Sequence, residues 1–361
     1  QVIVMWTHRL SSAVNRRELL SKVSAAFSLA AAAPLFDVLD SEERKRSTPV
    51  LHDPSSFDEL ALHYCENMVS SLRRQGDTVG PQATLSSALG HRDVAYRLAK
   101  TAPAGCQQRA LSAYAELTQF VGWLCFNMGS YHSAQRYYDE ARSVAHDAQN
   151  VELVTYVLCA MSQLATWQGT PRVGMDHAIV ARSWASQTGS PRAEAYAADV
   201  AACASAADGQ AATCRKALDA EQAAVAKIAA DATEPSWWYF YDEAFFWGTM
   251  SSCALQLREP ERALDTVSKS LAIMDSSNVH NYAFTLLTQS EAFVQQGHIA
   301  EAGQAIGEVV TLTTPNRSQR INQRIIELRT ALTPWQQSKP VRELDELLTA
   351  YSPSLRRSCT T

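Results

Sequence analysis

Few residues of this chain have the types and spacing that catalysis or metal binding requires. The best candidate is the segment His63-Tyr64-Cys65-Glu66, in which a thiol, an imidazole and a carboxylate could form a nucleophile or bind a metal. A single His and Cys on one helical segment more often pack or face solvent, and the nine histidines include no pair spaced i, i+4. The phosphate-binding, dinucleotide-binding, zinc-protease and serine-hydrolase motifs do not occur in the sequence. We therefore expect a protein that is not an enzyme and that needs no cofactor and no metal.

The elements that must position any binding residues are helices. The chain of 361 residues is rich in Ala, has only 14 Gly and 13 Pro, and lacks the runs of Val, Ile and Thr that are typical of sheets. A mean hydropathy of -0.19 excludes both a wholly disordered chain and a multi-span membrane protein. The net charge of -5 is not the positive field that holds nucleic acid by its phosphates.

The eight cysteines are spread along the chain without a C-x-x-C pair, mostly in apolar helical surroundings. This usage predicts reduced thiols and a cytoplasmic location. The arginine pairs Arg73-Arg74 and Arg356-Arg357 are interpreted as solvated faces rather than phosphate sites.

Residues 1–53 are predicted to form an N-terminal linker that contains an Ala-rich helix over 23–36 and ends in a charged segment. The pair Arg16-Arg17 ahead of this apolar run also resembles a twin-arginine export signal, which leaves export as an alternative.

An internal repeat organises the chain from residue 54 onwards. The clearest unit has Gly122, Gly129, Tyr131, Ala134 and Tyr138 at offsets that recur in degenerate form along the sequence. Its small-residue position recurs at spacings of 40, 40, 49 and 39 residues, at Ala134, Gly174, Cys214, Ala263 and Ala302. A small residue at this position lets two antiparallel helices cross closely, and the longer third spacing predicts an insertion near residues 230–236.

This pattern resembles tetratricopeptide repeats, in a form longer than the common one. The resemblance implies an all-α fold, a right-handed superhelix or α-solenoid of stacked antiparallel helical hairpins over residues 54–361, with degenerate capping helices at both ends. The last of these, over 341–351, carries Leu344, Leu347 and Leu348 on one face and could pair with a copy of itself.

In such repeats the first helix of each hairpin lines a concave groove. In that register one column of residues reads Glu116, Tyr156, Tyr196, Phe245, Phe284, a second reads Trp123, Gln163, Cys203, Ser252, Glu291, and a third reads Asn127, Trp167, Ala207, Gln256, Gln295. Aromatic rings flanked by amides suit a peptide or a small amphipathic molecule, although aromatic residues at helical spacing also pack helices together. The predicted ligand-binding residues are Gln119, Trp123, Asn127, Tyr156, Gln163, Trp167, Tyr196, Asp199, Trp238, Tyr241 and Phe245.

The whole chain also resembles the region that follows the DNA-binding head in actinobacterial helix-turn-helix regulators of the xenobiotic-response-element type. The resemblance rests on the opening Gln1-Val2-Ile3-Val4-Met5-Trp6, the segment Val14-Asn15-Arg16-Arg17-Glu18-Leu19-Leu20, and the repeats that follow. It implies a cytoplasmic sensing and dimerisation region of a transcriptional regulator, a homodimer without membrane attachment. DNA would be bound only through a head that precedes Gln1. A protein-interaction scaffold that uses the same repeats and takes no small ligand is the alternative.

Overall fold

A computed structural model describes residues 57–229, 234–314, 316 and 318–351. Within these ranges the chain forms fourteen α-helices and two short 3-10 helices, Ser236–Trp238 and Thr333–Trp335, and no strand. The expected all-α class is therefore confirmed. The predicted linker over 1–53 and the pair Arg356-Arg357 lie outside the described residues. In chain order the α-helices are α1 (Glu59–Val79), α2 (Pro81–Thr101), α3 (Gln107–Asn127), α4 (Tyr131–Asp147), α5 (Val151–Trp167), α6 (Pro171–Ala185), α7 (Pro191–Ala207), α8 (Ala211–Val225), α9 (Glu243–Gln256), α10 (Pro260–Ile273), α11 (Val279–Gln296), α12 (Ile299–Leu312), α13 (Gln319–Ala331) and α14 (Lys339–Tyr351).

Consecutive helices pack as hairpins, and the closest pairs are α3 with α4, α5 with α6, and α7 with α8. Tight turns join the two helices of each hairpin. Four of these turns have a glycine with positive φ, because glycine adopts this conformation without steric cost, namely Gly129 (73°), Gly169 (77°), Gly209 (73°) and Gly297 (78°). In the turn between α9 and α10 the equivalent position is Arg258, with φ of 62°.

The small residues of the repeat lie where the two helices of a hairpin cross. In three hairpins a serine hydroxyl on the first helix donates a hydrogen bond to the backbone carbonyl of the small residue twelve positions later. These bonds are Ser162 to Gly174 (2.7 Å), Ser251 to Ala263 (2.9 Å) and Ser290 to Ala302 (3.0 Å). A larger side chain on either helix would push the two backbones apart, so the sequence period marks a packing requirement.

The last helix, α14, packs against its own chain. Val341, Leu344 and Leu348 are buried in one cluster with Ile306 of α12, whereas Leu347 is 37% exposed. Arg329 of α13 donates two hydrogen bonds to the Asp345 carboxylate, at 2.5 and 2.7 Å. The leucine face that could have paired with a second copy is therefore largely covered within the protomer.

The two ends of the described array meet. Helix α11 contacts α1, and α13 contacts α3. The Asn316 side-chain amide donates to the backbone carbonyls of Gly76 and Asp77, and the Ser318 hydroxyl donates to the carbonyl of Asn127 at 3.3 Å. These contacts join residues that are 191 to 240 positions apart and close the array around a central space.

None of the helices in the described ranges combines the length and the hydropathy that crossing a membrane requires.

Candidate binding cavity

A cavity of about 200 Å³ lies at the centre of the closed array. The first helices of the hairpins, α3, α5, α7, α9 and α11, supply most of its lining. Helix α1, the segment Tyr239-Phe240 and Arg320 of α13 complete the wall. The lining thus includes residues of α1 and α3 as well as residues of α11 and α13, the helices through which the two ends of the array meet.

Two of the three columns read from the sequence face this cavity. Four members of the first column line it, and the fifth, Glu116, lies behind the wall. Four members of the second column line it too, while Glu291 pairs with Arg324. No member of the third column reaches the lining. The column members in the lining are Tyr156, Tyr196, Phe245, Phe284, Trp123, Gln163, Cys203 and Ser252.

Of the eleven predicted ligand-binding residues, the structure brings six together around the cavity. These six are Gln119, Trp123, Tyr156, Gln163, Tyr196 and Phe245. The other five are placed outside the lining, where they support it from behind or beside it. These five are Asn127, Trp167, Asp199, Trp238 and Tyr241.

One side of the cavity is an aromatic wall. The Tyr196 ring lies 6.1 Å from the Tyr156 ring and 6.3 Å from the Phe245 ring, centroid to centroid. Phe240, from the segment ahead of α9, contacts Tyr196 at 5.4 Å and Phe245 at 5.1 Å. Burial raises the pKa of both tyrosines, so their hydroxyls stay protonated. The rings meet mostly edge to face, at interplanar angles of 73° to 77°, and the wall offers an apolar surface with phenolic hydrogen-bonding groups.

Three of the five outer residues hold this wall in place through hydrogen bonds. Trp238 donates from Nε1 to Glu152 at 2.5 Å, and Tyr241 donates to Glu221 at 2.7 Å. Asp199 is 1% exposed and accepts a hydrogen bond from Thr249, which does line the cavity. Burial raises the pKa of Asp199 to about 7.

Arg73 contradicts the interpretation of Arg73-Arg74 as a solvated face. Arg74 is exposed, but Arg73 is only 2% exposed and lines the cavity. It forms a buried ion pair with Glu116, which also accepts a hydrogen bond from Ser236 at 3.2 Å. The prediction was wrong for Arg73 because a carboxylate 43 residues away compensates its charge, and such a contact leaves no trace in the local sequence.

The cavity has a rim at Asp77 and Tyr239. The hydroxyl of Tyr239, a residue that is 46% exposed, donates to the Asp77 carboxylate at 2.6 Å. Burial raises the pKa of Asp77 to about 6. A second cavity of about 260 Å³ shares these two residues with the first and extends towards Asn278. The two cavities therefore adjoin at this rim.

Arg320 is a lining residue that the sequence gave no reason to single out. Its Nη1 donates to the Asn127 side chain at 3.2 Å. Its guanidinium carbon lies 3.9, 4.4 and 4.9 Å from the ring centroids of Phe126, Trp167 and Phe284. Asn127 and Trp167, both predicted to touch a ligand, contact Arg320. One group of lining residues that the columns did not include comes from α11 and from the segment between α10 and α11, namely Met274, His280, Asn281, Thr285 and Thr288.

Two of the lining side chains, His280 and Cys203, carry groups that could accept a proton or act as a nucleophile. His280 faces the cavity between the rings of Trp123 and Phe284, but burial and the charge of Arg320 lower its pKa to about 3, so the imidazole is neutral and a poor proton acceptor. Burial raises the pKa of the Cys203 thiol, which disfavours the nucleophilic thiolate.

The segment around Cys65 lies apart from the cavity. Cys65 is buried with a pKa raised to about 12, His63 is exposed, and Glu66 pairs with Arg109. All seven cysteines in the described ranges are free thiols, and those ranges contain no cluster of three or more side chains that could hold a metal ion.

Compared with known proteins, the chain matches no family model, and no curated protein is significantly similar to it.

Proposed function

We propose that this chain is the sensing and dimerisation region of a helix-turn-helix transcriptional regulator, and that it binds a small molecule in its central cavity. The proposal includes a tetratricopeptide-like, right-handed superhelix and a cytoplasmic homodimer whose DNA-binding head is outside these residues. The observation that carries it is the cavity itself, an aromatic and amide-lined space inside a closed helical array.

The closure of the array favours a small molecule over an extended peptide. A peptide needs an open groove, whereas here Asn316 and Ser318 join α1 and α3 to the C-terminal end of the array. A volume of about 200 Å³ admits a single compact molecule with one ring or two.

Closure also gives such a molecule a way to act on the rest of the protein. A ligand in the cavity would touch Trp123 on α3 and His280 on α11, whose rings are 5.3 Å apart across the closing contact. It would therefore bind the closed array more tightly than an open one and shift the population towards closure. In a dimeric regulator, that shift would change the relative positions of the DNA-binding heads.

The test is a cavity-filling substitution. Ser252 lines the cavity on α9, so Ser252→Phe should remove the space a ligand needs, while Ser268→Phe on the exposed side of α10 is the matched control. Native mass spectrometry of the full chain purified from its own cells should show a small adduct on the wild type and on Ser268→Phe but not on Ser252→Phe. The melting temperature should be higher for the wild type and Ser268→Phe than for Ser252→Phe, because a ligand that binds only the folded state raises the melting temperature.

Circular dichroism shows whether Ser252→Phe still folds. A folded variant that keeps the adduct would contradict binding in the cavity. A wild type without adduct that instead binds one protein through the groove would favour the scaffold alternative.

A further inference from the structure

The charged side chains around the cavity are unequally compensated. Arg73 is paired with Glu116, and Asp77 accepts a hydrogen bond from Tyr239. Arg320, a third charged residue of the lining, forms no ion pair within the described ranges. Its only hydrogen bond there is the one from Nη1 to Asn127, and its Nε is sealed from solvent without a partner.

The neighbouring arginine of α13, in contrast, has its charge compensated by carboxylates. Arg324, one turn further along, forms ion pairs with Glu291 at 2.5 Å and with Glu327 at 2.8 Å. Arg320 has three aromatic rings in place of these carboxylates. The faces of Phe126, Trp167 and Phe284 attract a cation, but they neither neutralise it nor accept hydrogen bonds in the plane of the guanidinium.

A cation placed in this way costs free energy until an anion joins it. Burial lowers the pKa of Arg320 only to about 10, so the side chain keeps its charge at neutral pH. The neighbouring His280 is neutral, so it does not add a second positive charge that would favour a multiply charged ligand.

We propose that the cavity takes a small organic acid, with Arg320 holding its carboxylate and the aromatic wall of Tyr156, Tyr196, Phe240 and Phe245 covering its apolar body. This inference rests on the proposed small-molecule cavity and specifies the chemistry of its ligand. A guanidinium is the side chain that best matches a carboxylate in geometry and charge. A single uncompensated arginine favours this monoanion over a phosphate, which is usually held by several cations or backbone amides.

The experiment compares acids with their neutral amides. Calorimetric titration of the full chain with phenylacetate and phenylacetamide, and with benzoate and benzamide, should show each acid binding at least about tenfold more tightly, since a hydrogen bond to a charged group is worth that factor or more. In Arg320→Gln the preference should vanish. Arg324→Gln, the matched control on the same helix, should keep it.

Each other outcome identifies which proposal fails. Acids and amides that bind the wild type equally would overturn the carboxylate site but leave the small-molecule cavity standing. An acid preference that survives in Arg320→Gln would assign the anion to another residue. If no probe binds the wild type, the carboxylate site is wrong for compact aryl acids, while the adduct measurement on Ser252→Phe still decides the proposed function. Should Arg320→Gln not fold, Arg320→Lys keeps the charge and should retain part of the preference.

Discussion

The side-chain amide of Asn316 donates a hydrogen bond to the backbone carbonyl of Asp77, a residue 239 positions earlier in the chain. This bond and its companion to Gly76 connect the segment before α13 to the end of α1. Asn316 is 1% exposed, so water cannot replace its partners.

Asn316→Ala should therefore weaken the closed array. It leaves the buried Asp77 carbonyl without its side-chain donor, whereas the Gly76 carbonyl still accepts from the backbone N–H of Gly80, and the loss costs about 1–3 kcal/mol of unfolding free energy. Urea denaturation measures the loss, and hydrogen exchange should become faster in α1. The exposed Gln336→Ala serves as the control and should be neutral. Unchanged stability and exchange in Asn316→Ala would mean that closure does not depend on this contact.

A second prediction concerns the crossing of α3 and α4. A Cβ atom at Gly122 would lie 2.6 Å from two ring carbons of Tyr138, whose side chain is fully buried and cannot move away. Gly122→Ala should destabilise the protein by about 1–3 kcal/mol through overpacking. At Gly303, on α12, the nearest atom to a new Cβ is 3.6 Å away, so Gly303→Ala should instead stabilise by about 0.5–1 kcal/mol. Equal effects in denaturation experiments would show that Gly122 is not a packing requirement.

The third prediction is a pH dependence that originates at Asp199, whose carboxyl is buried next to a second carboxyl with a raised pKa, that of Glu221. Its pKa is raised in the folded state to about 7, so between about pH 4 and pH 7 the folded protein binds more protons than the unfolded chain. Stability from this residue is thus present at low pH and lost as the pH rises to 7. Asp199→Asn should gain about 2 kcal/mol relative to the wild type between pH 5 and pH 7. Urea denaturation at both pH values measures this change.

Asp265→Asn is the control for that experiment, since Asp265 is exposed and pairs with Lys269. The difference in unfolding free energy between Asp265→Asn and the wild type should be the same at pH 5 and pH 7. If Asp199→Asn behaved in the same way, the Asp199 carboxyl would titrate as an ordinary surface group.

The fourth prediction distinguishes the two faces of α14. Leu344 is 3% exposed and packs in the cluster formed with α12, whereas Leu347 is 37% exposed. Leu344→Ala should cost about 2–5 kcal/mol of unfolding free energy, and Leu347→Ala much less. Both variants should keep the oligomeric state of the wild type in light scattering. A change of mass in Leu347→Ala alone would assign this helix to an interface between copies.

Much of the fold could be predicted because its rules are local. Helix propensity, the glycine turns and the small residues at crossings act over tens of residues. Each of these patterns is therefore visible in the sequence of a single hairpin and recurs in the next. The aromatic columns follow from the same register, which is why Tyr156, Tyr196 and Phe245 lie together.

The rest depends on contacts between distant segments. Nothing near Arg320 in the sequence indicates that Phe126, Trp167 and Phe284 surround it, and a polar helix with several arginines predicts a surface. Arg73 was misread for the same reason. At the turn between α9 and α10 the structure keeps the repeat although the sequence pattern is lost, because Arg258 adopts the positive φ that glycine has in the other turns.

Closure also limits the number of hairpins that this fold can contain. An open stack of hairpins tolerates one more or one fewer unit, because only neighbouring units touch. Here an inserted hairpin would move Ser318 away from Asn127 and break the hydrogen bond between them. The number of hairpins between α3 and α13 is therefore fixed by the geometry of this contact.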